Sequence, residues 1–344
     1  MNILVLYTRL TGYWLACMRK DFELNKNNYL VFRTAPSKDA PFKIESENGI
    51  SICNYSSEDF SAMEAKIEEF KPSLIYIAGW SNKNYLKIAK SYKSQEIPIV
   101  AGMDNQWLGT FRQQIASVFS KFLIHKYFTH IWVAGKPQYY YARKLGFKTH
   151  RILTGLYSAD ETVFENIKQT QLKKQIIFVG RLVEHKGLRI LFKVLNELIK
   201  SNQLNIDVQF IGNGPLANEI PQHKNVKHRP FVSPDKLPIL LENAGYFILP
   251  SLYEAWGVVI HEAVLAGLPV ITTHETGAAS DLVINNFNGF VYEANDGNKL
   301  MGIIKSLELI DNSKYLEMSK NSKLIATKIN LTEWSASMNS IINT

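Results

Sequence analysis

The run Ser251-Leu-Tyr-Glu254-Ala-Trp256-Gly257-Val258-Val259-Ile-His-Glu262 sets two carboxylates around a predicted helix start. An apolar stretch ending in Pro250 precedes it and reads as a buried strand. From Gly257 the pattern turns helical, with Val258, Glu262 and Ala266 on one face. Glu254 is therefore expected in the strand-to-helix loop, and Glu262 about one and a half turns into the helix. In a parallel α/β sheet that loop lies at the carboxyl end of the strand, where such folds bind ligands. The free N–H groups and positive dipole end of the helix suit an anion there. Two carboxylates beside an anion site suit a phosphorylated, hydroxyl-rich molecule such as a nucleotide sugar.

A second segment, Ile176-Ile-Phe-Val-Gly180-Arg181-Leu-Val-Glu-His-Lys186-Gly187, puts two cations between an apolar strand and a helix. A surface turn with two charges is the plain reading. The chemical one is a clamp on a diphosphate, with Arg181 as a planar fork and Lys186 as a compact charge. No Asp-x-Asp metal motif lies near them. Glu262 alone would serve equally as a salt-bridging or capping acid, and Gly212-Asn-Gly214 as an ordinary turn at a strand end.

Taken in order, these segments resemble the retaining glycosyltransferases of family 4. The glutamates have seven residues between them, as in that family's signature. The Gly180-Arg181 and Lys186-Gly187 segment is similar to its phosphate-binding loop. Asp207-Val-Gln-Phe-Ile-Gly212-Asn-Gly214 resembles its next strand, Asn286-Phe-Asn288-Gly289 its late turn, and Leu153 to Phe164 its interdomain linker. The resemblance runs from about residue 150 to 300. It implies Arg181 and Lys186 on the donor diphosphate, Glu262 on the ribose and Glu254 near the transferred sugar. There Glu254 would bond sugar hydroxyls, stabilise positive charge or attack as a nucleophile. The backbone of Trp256, Gly257, Val258 and Val259 would approach the donor. Gly212 and the strand end with Arg229 and Phe231 would lie near the nucleotide. Pro230 stands where the family usually has glycine, which leaves the base undefined. No cofactor and no metal are expected, because two cations and a helix terminus can hold a diphosphate.

The first half departs further from the family. In place of a Gly-Gly loop after the first strand it has Thr8-Arg9-Leu-Thr11-Gly12, so Gly12 alone offers close backbone approach to a donor phosphate or acceptor. In place of His-Asp it has Gly102-Met103-Asp104-Asn105. Asp104 would bind an acceptor hydroxyl, or cap a helix beginning near Gln106. His130 opens an apolar strand and reads as a buried, satisfied histidine.

The elements that must position these residues alternate. Strands are predicted at Asn2–Tyr7, Tyr29–Phe32, Ser73–Ala78, Ile97–Ala101 and Ile131–Ala134. They restart at Gln175–Val179, Ile206–Ile211, Tyr246–Leu249 and Pro269–Thr272, with helical patterns between, such as Ser56–Phe70. This is an α/β chain with parallel sheets covered on both faces. With the resemblance it implies GT-B architecture, two Rossmann-like domains facing across a cleft. Residues 1–153 would form the acceptor-side domain and 154–329 the nucleotide-sugar domain. By resemblance, a terminal helix over about 330–344 would pack back on the first.

At 344 residues, 46% hydrophobic and 20% charged, the chain can bury two cores. No apolar run approaches the roughly 20 residues that span a bilayer. Two cysteines, Cys17 and Cys53, form no disulfide or zinc pattern, so a cytoplasmic setting is expected. Residues 1–160 carry 21 Lys and Arg against 13 Asp and Glu, whereas the remainder carries 18 of each. No acid occurs between Asp104 and Asp160. That excess is either a solvated surface or a face for anionic lipid or an anionic acceptor. The helical run Trp107–Phe128 combines seven apolar side chains with Arg112, Lys121 and Lys126. It would rest on the cytoplasmic leaflet or pack as a core helix. No nucleic-acid module is recognisable.

The expected function is transfer of a hexose-type sugar from a nucleotide diphosphate donor to a lipid-linked or glycan hydroxyl acceptor. Retention of configuration and a bacterial surface-glycan setting (lipopolysaccharide, capsule or exopolysaccharide) come from the resemblance. The rivals are a nucleotide-sugar epimerase or hydrolase on the same fold, and a non-catalytic subunit.

Overall fold

The computed structural model describes residues 1–34, 44–56 and 59–343. They divide into two compact units. Met1–Ser158 and Ile329–Thr344 form the first, and Ala159–Lys328 the second.

The first unit is built on strands β1 (Asn2–Leu6), β2 (Asn28–Arg33), β3 (Ile50–Asn54), β4 (Leu74–Ile77), β5 (Ile99–Met103), β6 (His130–Val133) and β7 (Ile152–Leu153). They pair in parallel in the order β3-β2-β1-β4-β5-β6-β7. Alternation sends Leu4, Leu6, Ile75 and Ile77 to one core, and Ile3, Val5, Leu74 and Tyr76 to the other. Because both faces are buried, the central strands read as unbroken apolar runs.

The second unit repeats the plan with β8 (Gln175–Val179), β9 (Asp207–Ile211), β10 (Val226–Arg229), β11 (Tyr246–Leu249), β12 (Val270–Thr273) and β13 (Gly289–Tyr292). The order is β10-β9-β8-β11-β12-β13, again all parallel. In each sheet the strand order reverses beside a central strand, between β1 and β4 and between β8 and β11. A crevice opens outside the carboxyl ends of the strands at such a reversal.

Five elements differ from the sequence reading. Strands β3, β7 and β13 were not predicted. All three are edge strands, paired on one side only, so their side chains need not form an apolar run; β13 lies in a segment read as a turn. The helix expected over Ser56–Phe70 is seen as Phe60–Phe70; residues 57 and 58 lie outside the described residues. The single helix expected over Trp107–Phe128 is instead two, Phe111–Val118 and Ser120–Leu123, broken at Phe119. Gln113 folds back to hold the preceding loop, accepting from Leu108 N–H at 2.7 Å and donating to the Gln106 carbonyl at 2.7 Å. The helix is capped by Thr110, which accepts from Gln113 N–H, so Asp104 is not its cap. Nor is this a core helix. Phe111, Val118 and Phe122 are 76%, 75% and 72% exposed.

The last helix, Leu331–Ser340, packs against the helix Gly12–Asn25. Trp334 inserts its ring between Trp14 and Trp132, with centroids 5.1 and 4.9 Å away, and donates to the Leu156 carbonyl at 3.0 Å. Beside it Asp21 is fully buried and satisfied by neutral donors alone. Its Oδ1 accepts from Asn25, Ser335 and Asn339 at 2.9, 2.6 and 2.7 Å, and its Oδ2 from Asn27 and Tyr29 at 2.8 and 2.5 Å. Five donors take the place of water around a carboxylate that has no cation partner among them.

Replacing this carboxylate leaves buried donors without an acceptor. Asp21→Ala is expected to lose about 3 kcal/mol, read as a lower thermal midpoint, and to expose the last helix to limited proteolysis. Asp21→Asn, which keeps one acceptor oxygen, should lose less.

Candidate functional site

The carboxyl edge of the second sheet is assembled by loops that approach one another more closely than side chains would permit. After β8 the chain passes Gly180 and Arg181, makes one turn over Glu184–Lys186, and enters the helix Leu188–Lys200 through Gly187. Gly187 has φ +69°, and a Cβ there would lie 1.9 Å from the Pro250 carbonyl oxygen. Only glycine allows both the backbone conformation and the contact. The His185 carbonyl accepts from Leu252 N–H at 2.9 Å, which fixes the two loops in register. As a result the Lys186 ammonium forms an ion pair with Glu254 Oε2, the two side chains being 12% and 19% exposed.

The Glu254 backbone is held as firmly as its side chain. Its N–H donates to the Glu275 carbonyl at 3.1 Å, and its own carbonyl accepts from Gly277 N–H at 3.0 Å. Below, the Thr272 hydroxyl donates to the Leu249 carbonyl at 2.9 Å and pairs with the Thr276 hydroxyl at 3.1 Å, and Thr273 donates to the Ser251 carbonyl at 2.6 Å. This buried hydroxyl cluster props the loop after β11 against the loop after β12. Gly257, at φ +95°, turns the chain into the helix Val258–Leu265. The N–H groups of Val258 and Val259 lie in that helix's first turn, where they have no intrahelical acceptor.

Arg181 is exposed, and its guanidinium makes no hydrogen bond or ion pair among the described residues. Glu262 lies in the helix Val258–Leu265, partly open to solvent and without a side-chain partner among the described residues. Enough protein surrounds it that loss of hydration pushes its carboxyl up to about 7. Burial lowers His185, with Lys186 adding to the effect. Gly212 makes its own close approach: a Cβ there would lie 2.0 Å from the Gly180 carbonyl oxygen. Its N–H donates to the Arg229 carbonyl at 3.0 Å, and Phe231 N–H donates to Asn213 Oδ1 at 3.1 Å. Arg181, Lys186, Gly212, Arg229, Phe231, Glu254, Trp256, Gly257, Val258 and Val259 thus all sit at or beyond the carboxyl ends of β8 to β11. Trp256 is buried, so only its backbone is placed for a ligand.

Gly12 and Asp104 belong to the first unit, at the carboxyl ends of β1 and β5. Gly12 is exposed, with no atom within 4 Å of where a Cβ would stand. Asp104 Oδ2 accepts from the Tyr157 hydroxyl at 3.2 Å. His130 is buried and paired with Thr129 and Arg151, each at 2.8 Å; burial and then the Arg151 charge lower it to about 4.

Sequence reading missed the Lys186–Glu254 contact, since 68 residues separate the partners. It also missed the Thr272–Thr276 support, whose only signal is a threonine-rich strand end.

A family model described as Glycosyl transferases group 1 matches residues 160–324, which lie within the second unit. The whole chain has the GT-B fold, with two parallel-sheet Rossmann-like units. Its structure is similar to that of HepE from Anabaena solved in complex with UDP. There the TM-score is 0.77 at 16% identity, with all of both chains covered. An uncharacterized glycosyltransferase of Methanocaldococcus jannaschii is 29% identical over 143 residues, 39% of this chain and 36% of that protein. The UDP-Gal:alpha-D-GlcNAc-diphosphoundecaprenol alpha-1,3-galactosyltransferase of Escherichia coli is 31% identical over 153 residues, 42% of this chain and 38% of that protein. The matched stretches thus span little more than a third of either relative's length.

The titration of Glu262 tests the ribose contact that the resemblance implies for it. Hydroxyls donate to the ionised carboxylate, so nucleotide binding is expected to weaken as pH falls below about 7, by up to about tenfold per unit. Glu262→Gln should bind UDP more weakly at high pH and lose that part of the pH dependence. Calorimetric titration of both proteins between about pH 8 and pH 6 checks this.

Proposed function

We propose that this chain is a glycosyltransferase that moves a hexose-type sugar from a nucleotide diphosphate sugar to a hydroxyl acceptor, with retention of configuration. The observation that carries the reading is the Lys186–Glu254 pair with Arg181, which has no partner among the described residues, at the strand reversal of the second sheet. The second unit holds the donor. Arg181 and Lys186 bind the diphosphate together with the N–H groups of Val258 and Val259. As the bond from the anomeric carbon to the phosphate oxygen breaks, the negative charge grows on that oxygen, where the two cations already stand. They and the helix terminus supply the positive charge, so no metal is required. Glu262 accepts from the ribose hydroxyls. Glu254, released from part of its pairing when Lys186 turns to phosphate, offsets positive charge on the sugar. The leaving phosphate takes the proton of the acceptor hydroxyl. Gly12 and Asp104 belong to the acceptor half.

A setting in bacterial surface-glycan assembly, with a lipid-linked acceptor, is supported by the acceptor named for the E. coli relative. No helix among the described residues is long and apolar enough to cross a membrane. The exposed Phe111, Val118, Phe119 and Phe122, with Arg112 and Lys121 beside them, suit the surface of an anionic bilayer on its cytoplasmic face.

The enzyme assignment is tested by presenting UDP- and GDP-sugars with and without lipid-linked glycan acceptors. Acceptor-dependent transfer is expected, unaffected by EDTA. Glu254→Gln should keep nucleotide binding and lose roughly 10²-fold or more of transfer, whereas Arg181→Ala should weaken UDP binding about tenfold. Epimerised or merely hydrolysed donor would point to the rival chemistry, and activity restored only by a divalent ion would overturn the metal-free mechanism.

The membrane assignment has its own readout. Binding is expected to anionic but not neutral liposomes, reversed by salt and reduced by charge reversal at Lys121, Lys126, Arg143 and Lys144, each worth about 1 kcal/mol near such a surface. Equal binding to both, or none, would remove it.

A further inference from the structure

The helix Val258–Leu265 has two unlike faces. Val258, Val259 and Glu262 are partly open, whereas Ile260, His261, Ala263 and Val264 are buried. Among those apolar neighbours His261 is wholly enclosed, and an imidazole so placed is costly unless its nitrogens find partners. They find them in backbone groups from two distant segments. Nδ1 accepts from the Ala159 N–H at 3.0 Å, and Nε2 lies 3.2 Å from the Ala326 carbonyl oxygen. A ring nitrogen that accepts carries no hydrogen, so the hydrogen is on Nε2, which donates to Ala326. The ring is neutral, and both of its polar atoms are engaged.

The two partners stand where the chain passes between the units. Ala159 is the first residue of the second unit. Ala326 ends the helix Asn312–Ala326, two residues before the unit's last residue, Lys328. Further bonds fasten the same elements together. The Ser322 hydroxyl donates to the Leu268 carbonyl, just beyond the helix that carries His261, at 2.9 Å. The Lys323 ammonium reaches the entering segment, donating to the Glu165 carbonyl at 3.1 Å and to that of Ile167. That segment's short helix, Glu161–Phe164, and the helix Asn312–Ala326 both pack on Val258–Leu265. Entering segment, leaving helix and the helix between them form one block, and His261 bonds the first two from within the third. An asparagine amide stands about where Nδ1 does and a glutamine amide about where Nε2 does, so each serves one partner; the imidazole serves both.

We propose that His261 is a positioning residue for the transfer reaction: it fixes both chain crossings to the helix that holds the donor, so that a nucleotide on the open face of that helix steadies the segments joining the two units. This rests on the assignment of the donor to the second unit. Val258, Val259 and Glu262 all lie within one turn of His261, so a ligand that restrains them restrains the imidazole. Coupling of this kind travels through packed, hydrogen-bonded elements, and here the path is a single side chain with two bonds.

The test is amide hydrogen exchange on the full chain at Ala159 and Lys328, with and without UDP or GDP, beside calorimetric titration of both nucleotides. The Lys328 N–H donates to the Ile325 carbonyl at 3.2 Å and so reports on the second crossing. Without nucleotide, His261→Leu is expected to speed exchange at both amides about tenfold and to leave β8 and β11 unchanged. Nucleotide should slow both amides about fivefold in the wild type and neither in His261→Leu, whose nucleotide affinity stays within about twofold. A merely structural histidine would not change that response. His261→Asn should restore the wild-type behaviour at Ala159 alone, and His261→Gln at Lys328 alone. Unchanged exchange at the crossings in His261→Leu, nucleotide protection that persists in it, or identical behaviour of the Asn and Gln variants would overturn the proposal. Should His261→Leu fail to fold, the opposite selectivities of Asn and Gln decide. Wild-type protein that binds neither nucleotide would overturn the donor assignment and this coupling with it, whereas nucleotide bound without protection at either crossing would overturn the coupling alone.

Discussion

The contact between Gly187 and the Pro250 carbonyl governs the geometry of the second unit's edge. Two strands of a parallel sheet lie about 4.8 Å apart, so the loops that leave them are already neighbours. Whether their side chains meet depends on how near the loop backbones come. Here one loop presses on the other with nothing between, and a backbone hydrogen bond from Leu252 to His185 sets the register. Lys186 and Glu254 then meet without either having to be extended by crystal-like order in a flexible loop. Buried pairs of this kind add little net stability, because desolvation offsets their attraction. Their value is positional: each charge is held where a ligand with charge of its own can compete for it.

Most of the second unit was legible from sequence because its functional residues follow solid apolar strands. Phe178 and Val179 before Gly180-Arg181, and Ile248 and Leu249 before Glu254, announce both the strand and the loop that must follow. Glycines marked the places where loops approach. The contacts between loops were not legible, since nothing local in Glu184-His185-Lys186 tells which of the chain's many carboxylates will face it. The edge strands β3 and β13 escaped for a different reason: with one neighbour instead of two, their composition is not constrained to an apolar run.

The first unit shows the opposite balance. Its central strands were visible but its edge strands β3 and β7 were not, nor was the contact of Tyr157 with Asp104, because 53 residues separate the partners. Tyr157 alone reads as an ordinary core aromatic. The helical run after Trp107 was misread in length because its apolar residues do recur at helical intervals, and periodicity does not register a break at a single residue such as Phe119. Nor does it tell whether an apolar stripe will find a partner, which is why the exposure of Phe111 and Phe122 had to come from the structure.

The chain leaves the first unit at Ser158 and rejoins it at Ile329, so the second unit is an insertion within the first. Leu331, Trp334 and Met338 are part of the first unit's core, and Ser335 and Asn339 help to satisfy Asp21. On the ribosome, where domains generally fold as units in the order they emerge, this reverses the usual sequence. The unit begun first cannot close its core until more than three hundred residues have been made, whereas the inserted unit is continuous and can fold in a single passage. During that interval Trp14, Trp132 and the Asp21 carboxylate await partners, and the half-built first sheet is the part of the nascent chain most in need of protection.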